Sequence, residues 1–218
     1  MRIPHPLPNY SASEELANTV ISAISTVLAI VGSAVLIVSA VKHCSVWHIV
    51  SCSIFAATLI LLYAASTLYH GVAHPPMKHR LRMLDHSAIF LLIAGTYTPF
   101  VLVNLRGPWG WSLFGVTWGI AFLGIVFHSK LRRRRVLAVG LYIFMGLIIL
   151  VAAKPMFAAV APTGLILLLI GGLAYIAGVG FYAWRRLPHH HAIWHVFVLL
   201  GSTAHYFAIL HYVIPARG

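Results

Sequence analysis

VWHIVSCSIFAATLILLYAASTLY, residues Val46–Tyr69, holds no Lys, Arg, Asp or Glu. At 1.5 Å of rise per residue it is about 36 Å long as a helix, enough to cross a hydrocarbon core of about 30 Å. Backbone polar groups find no water in lipid, so a spanning segment must satisfy them internally, as a helix does. The run lacks the alternation of polar and apolar residues that a barrel strand requires. It closes on Ser66-Thr67-Leu68-Tyr69, and His70 follows directly.

Working outward from this stretch, Thr19–Val41 precedes it, and Ser87–Leu105, Pro108–Phe127, Val136–Ala153, Pro162–Trp184 and Ala192–Ile214 follow. Each has the length and apolarity to span. Across the chain, 61% of the 218 residues are hydrophobic and 8% are charged, against about 25% charged in soluble domains. The expected fold is therefore all-α: an integral membrane bundle of seven transmembrane helices over residues 19–215, behind a short segment 1–18. The first run is too long for a signal-peptide core and follows two glutamates, so no cleavage is expected.

The formal charge of +12 does not read as a nucleic-acid surface, because the basic residues sit in short loops between apolar runs. There they act as topology signals and contacts for anionic head groups. One side receives eleven: Arg2, Lys78, Arg80, Arg82, Lys130, Arg132 to Arg135, Arg185 and Arg186. The other receives four: Lys42, Arg106, Lys154 and Arg217. This asymmetry predicts a cytoplasmic N-terminus and an external C-terminus. Trp47, Trp109, Trp111 and Trp184 fall at expected helix ends, as an aromatic belt does. Cys44 and Cys52 are too few for a disulfide framework and read as packing residues.

The chain has three carboxylates, Glu14, Glu15 and Asp85. The glutamates precede the first apolar run, which leaves Asp85 as the one acid within the spanning region. An acid there marks chemistry or a structural ion contact, for instance to Arg80 or Arg82. With seven crossings, His70, Asp85, His191 and His195 all fall at the cytoplasmic ends of the second, third and seventh helices. His191 and His195 are four apart and share a helix face. With His70 they make three imidazoles, and three ligands leave a fourth zinc position open for water. Zinc lowers the pKa of that water from 15.7 to about 7. No acid lies between His191 and His195, so Asp85 is the candidate base. Ser66, one turn before His70, is placed to orient the water or donate to an oxyanion.

The remaining histidines read differently. His43, His48, His74, His79, His128 and His211 fit an interfacial role. His189 and His190 read as loop residues facing lipid phosphate. His86 is rotated about 100° from Asp85 and is expected to pack elsewhere. His205 lies too far below His195 to share its ion, so a buried hydrogen bond is expected there.

These residues bear a resemblance. Glu14-Glu15-Leu16-Ala17-Asn18, Ser66-Thr67-Leu68-Tyr69-His70, Leu84-Asp85-His86-Ser87, Ala94-Gly95-Thr96-Tyr97-Thr98-Pro99, His191-Ala192-Ile193-Trp194-His195 and His205-Tyr206-Phe207 resemble the bacterial hemolysin III family. That family belongs to the progestin and adipoQ receptor group, which is related to alkaline ceramidases. The resemblance covers nearly the whole chain. It implies a seven-helix bundle with a cytoplasmic N-terminus in a bacterial inner membrane. It also implies zinc on His70, His191 and His195, with Asp85 hydrogen-bonded to the zinc-bound water and Ser66 nearby.

Two function classes follow. One is a zinc-dependent intramembrane hydrolase of a lipid amide or ester, in which a zinc-activated hydroxide attacks the carbonyl. The other is a zinc-stabilised regulator or sensor of lipid state, without catalysis. The family name adds a cytolysin or channel, which a continuous polar stripe along one helix would support; Asn104, His128 and the loop arginines lie at ends instead. In each case the expected partners are membrane lipids.

Overall fold

A computed structural model describes residues 7–8, 10–43, 45–127 and 135–214. Arg2, Cys44, His128, Lys130, Arg132 to Arg134 and Arg217, all used in the sequence reading, lie outside the described residues. The helices are α1 (Ala12–His43), α2 (Val46–Gly71), α3 (Pro75–Pro99), α4 (Pro108–Val126), α5 (Arg135–Leu147), α6 (Ala153–Ala159), α7 (Pro162–Ala183) and α8 (His190–Tyr212). A π-helical turn, Phe100–Asn104, extends α3, and a 3₁₀ turn, Ile148–Ala152, joins α5 to α6. Among the described residues, seven helical spans are long and apolar enough to cross a membrane, the fifth being α5 to α6. The chain is a multi-pass integral membrane protein built as a seven-helix bundle.

Neighbours in sequence are neighbours in space. α1 packs on α2 and α8, α2 on α3, and α7 on α8. α1 turns a small, polar face to the bundle: Asn18, Ser22, Ser25 and Ser33 are all buried. Ser22 Oγ donates to Ser66 Oγ at 3.2 Å, and Thr26 Oγ1 lies 3.1 Å from Thr67 Oγ1. Small and hydroxyl side chains let helices approach closely in lipid and bond across the seam. The opposite face of α1 (Val27, Val31, Val35) is exposed, as a lipid-facing surface is.

Two helix starts differ from the sequence reading, and the fifth span runs on to Ala159 where Ala153 was the expected end. The third helix begins at Pro75 and not near Ser87, so Asp85 lies inside the helix and not at its end. Pro75 and Pro76 occupy the first helical positions, where a missing N–H costs nothing. The turns that follow carry the half-buried Lys78, the exposed Arg80 and the buried Arg82, so charge persists where the backbone is already helical. Hydropathy sees only the apolar remainder. The first helix likewise begins at Ala12, which makes Glu14 and Glu15 helical. Ser11 and Glu14 form its cap: Glu14 N–H donates to Ser11 Oγ at 3.3 Å, and Ser11 N–H donates to Glu14 Oε2 at 2.8 Å. This is the reciprocal Ser-x-x-Glu arrangement that satisfies two orphan donors.

Pro99 has the expected effect on α3. It removes one backbone donor and crowds the preceding turn, and the helix continues with π geometry. Gly107, at φ 143°, then turns the chain into α4.

Candidate metal centre and its cavity

Two helix ends meet at one end of the bundle. His70 closes α2, while His191 and His195 lie on the first two turns of α8, and all three are buried. One ligand atom from each can be chosen so that all lie within 4.8 Å of one another. His70 Nε2 and His195 Nε2 are 3.3 Å apart. The His191 and His195 rings meet edge to face, with centroids 4.6 Å apart.

The fit to a metal can be judged from the donors themselves. Tetrahedral zinc with Zn–N near 2.0–2.1 Å places its ligand nitrogens about 3.3 Å apart, the spacing of the His70–His195 pair. Both ring nitrogens of His191 are buried with no hydrogen-bond partner. A buried polar atom without a partner costs about 1–3 kcal/mol, and a metal ion offers such a nitrogen a partner. The three imidazoles are therefore a set that can hold a metal ion.

Asp85 and Ser66 line a cavity of about 260 Å³ together with His86, His191 and His195. It runs between α2, α3, α5, α7 and α8, and most of its wall is apolar, with residues such as Leu62, Ile89 and Val198. His205 lines it farther along α8. Ten residues separate His195 from His205, about 15 Å along the helix. His205 Nδ1 donates to Gly201 O at 2.7 Å, and its ring stacks on Tyr175 with centroids 5.4 Å apart. The hydrogen bond expected of it is thus present, though part-buried and not fully buried. His86 is corrected: its Nδ1 lies 3.4 Å from Asp85 Oδ2 and 2.9 Å from Arg82 O. The rotation of about 100° separates the Cβ directions, but the imidazole is long enough to turn back to the neighbouring carboxylate.

The first turns of α1 bring residues that the sequence reading left without a role. Glu15 Oε2 lies 2.6 Å from His70 Nδ1, and its Oε1 lies 2.8 Å from Lys78 Nζ. Asn18 Nδ2 is 3.4 Å from the same His70 nitrogen. Tyr10 stacks over His191, centroids 5.1 Å apart, and His189 N–H donates to Glu14 Oε1 at 3.1 Å. The signal was in the spacing. Glu15, Asn18, Ser22 and Ser25 recur at helical intervals, so one face of an otherwise apolar helix is polar.

Known proteins share this sequence along most of its length. A family model described as haemolysin-III related matches residues 10–206. The chain belongs to the haemolysin-III-related family. It is 45% identical over 203 residues to "Hemolysin-3" of Bacillus cereus, covering 93% of each chain. It is 42% identical over 206 residues to "Hemolysin-3 homolog" of Bacillus subtilis (strain 168), covering 94% of this chain and 97% of that one. A more distant similarity, 30% over 210 residues, links it to the human "Monocyte to macrophage differentiation factor", covering 92% of this chain and 84% of the relative. No solved structure matches. In this haemolysin-III-related chain, the histidine cluster, Asp85 and Ser66 all lie inside the matched region.

Proposed function

We propose that this protein is a zinc-dependent intramembrane hydrolase of a lipid amide or ester. One observation carries the reading: two of the three clustered, buried histidines, His191 and His195, line a largely apolar cavity together with a buried carboxylate, Asp85. The apolar walls suit an acyl chain, and the polar groups gathered at one end suit the carbonyl. His70, His191 and His195 would hold the metal, and three neutral nitrogens with an open position suit zinc. Bound there, zinc supplies an acidified water and a Lewis acid for the carbonyl oxygen.

The protein's own groups then handle protons and position. Asp85 accepts a proton from the attacking water and returns it to the leaving nitrogen or oxygen as the C–N or C–O bond breaks. A carboxylic acid and an amine or alcohol result. Ser66 accepts a hydrogen bond from Ser22, so its own proton is not spent in that contact and can be donated to the developing oxyanion. Tyr10, stacked on His191, covers the cluster from the N-terminal side, so lipid enters from the side, between helices. The excess of basic residues at this end supports a reaction at the cytoplasmic interface.

Asp85→Asn separates this reading from a structural one. Zinc content is expected to stay at the wild-type level, while turnover of lipid amides or esters falls by about 10²–10⁴, the usual contribution of a general base. Elemental analysis beside a product assay reads both. Loss of zinc together with activity would make Asp85 a structural support and remove it from the chemistry.

A further inference from the structure

α1 lines none of the cavity, and neither does His70. Yet the first turns of α1 contact His70 from behind. The His70 side chain is fully buried, at 0% exposure, and the Glu15 side chain retains 22%. Glu15 uses both carboxylate oxygens: Oε2 on His70 Nδ1 at 2.6 Å and Oε1 on Lys78 Nζ at 2.8 Å. The Lys78 ammonium also donates to the carbonyls of His70 at 3.3 Å and Val72 at 3.2 Å. Three helices are thus tied at one carboxylate, and the tie ends on a ring nitrogen that faces away from the other histidines.

We propose that Glu15 is a positioning residue for the metal centre. It fixes the tautomer and orientation of His70, and Lys78 holds Glu15 in place. This inference rests on reading the three histidines as a metal site. The argument runs through hydrogen-bond roles. A neutral imidazole has one N–H and one lone pair, and an ionised carboxylate only accepts. With a carboxylate oxygen 2.6 Å from Nδ1, the N–H belongs on Nδ1 and the lone pair on Nε2. Nε2 is the nitrogen that faces His195 Nε2 at 3.3 Å. The second His70 neighbour is consistent: turning the Asn18 amide over puts Oδ1, otherwise buried without a partner, beside the Nδ1–H. Metal-bound histidines commonly donate their other N–H to a carboxylate. That contact sets ring orientation and raises ligand basicity, and its loss typically costs 10–100-fold in metal affinity.

A tether between α1 and α2 would use the same contact, and the two roles diverge in one measurement. A tether lost by mutation destabilises the protein equally with and without metal. A positioning residue lost by mutation weakens metal binding. Full-length protein in detergent is stripped with a chelator, and zinc is titrated in competition with a chromophoric chelator. Thermal unfolding of each variant is followed with and without zinc. Glu15→Ala is expected to weaken zinc binding about 10–100-fold. Glu15→Gln should fall between Ala and wild type, because its carbonyl still accepts from Nδ1–H but carries no charge. Lys78→Met should weaken binding less than Glu15→Ala. The zinc-induced rise in Tm should shrink in the same order.

Zinc affinity of Glu15→Ala within about twofold of wild type, far from the usual cost of losing such a contact, overturns the inference. So does a loss of stability that is equal in the metal-free and zinc-loaded forms. If Glu15→Ala fails to fold, the near-isosteric Gln variant carries the same test, and an unchanged affinity there has the same force. Wild type that binds no zinc overturns both this inference and the proposed function. Wild type that binds zinc, with Glu15 variants that bind it equally well, overturns this inference alone.

Discussion

The two ends of the bundle are both polar, but they use polarity differently. At the histidine end, Asp85, His70, His191, His195 and Arg82 are buried, and the carboxylates of Glu15 and Asp85 contact histidines. At the far end, Arg106 sits over Trp47, its guanidinium carbon 4.5 Å from the ring centroid, and Trp47 meets Trp111 edge to face at 5.8 Å. Asn104 Nδ2 donates to the backbone carbonyl of Tyr212 at 3.1 Å and so ties α3 to the end of α8. The far end satisfies helix termini and meets the interface. The histidine end withdraws titratable groups from water, which costs free energy unless they are paired or ligated. Polarity alone therefore does not mark the site. The burial and convergence of polar groups does.

The largest expected effect breaks the histidine end. Wild type is expected to carry about one zinc per chain, and His191→Ala/His195→Ala none, because one remaining imidazole cannot hold the ion against solvent. Elemental analysis of protein purified in detergent decides the matter. Zinc retained by the double variant would place the ion elsewhere, and the contrast between the two ends would collapse. A smaller effect is expected from Gly110→Ala at the far end. A Cβ there would meet Val101 O at 2.1 Å and Leu105 O at 2.6 Å. Backbone cannot swing aside as a flexible side chain can, so the turn between α3 and α4 must shift, at about 1–3 kcal/mol. Unfolding in mixed detergent should register the loss, while zinc per folded chain stays at the wild-type value.

Much of this was legible in the sequence, for identifiable reasons. Val46–Tyr69 reads as a span because length and absence of charge suffice, and α2 runs Val46–Gly71. The meeting of His70 with His191 and His195 follows from counting crossings, since seven spans bring those helix ends to the same side. What escaped was set by short-range geometry. The helical start at Pro75 is hidden from hydropathy by the basic residues that follow it. The His86–Asp85 contact depends on a side-chain rotamer, which helical angle does not determine. Glu15 escapes hydropathy because the first apolar run begins only at Thr19. Its contact with His70 depends on α1 continuing outward to Ala12, where Ser11 and Glu14 cap it.

The smallest predicted effect tests whether the two ends are independent. A cation over an exposed or half-buried indole is worth about 0.5–1 kcal/mol, so Arg106→Ala should lower unfolding stability by about that amount. Arg106→Lys should recover part of it, because the ammonium keeps the charge but is compact and more strongly hydrated than the guanidinium. Neither change should alter zinc affinity. The cluster lies across the membrane from the histidines, and contributions from distant sites without shared partners usually add. Zinc titrations of both variants beside wild type check this directly. A shift in affinity with Arg106→Ala would mean that α2 transmits strain from Trp47 to His70, its first and last turns. The site would then have to be understood as a property of the whole helix and not of one end.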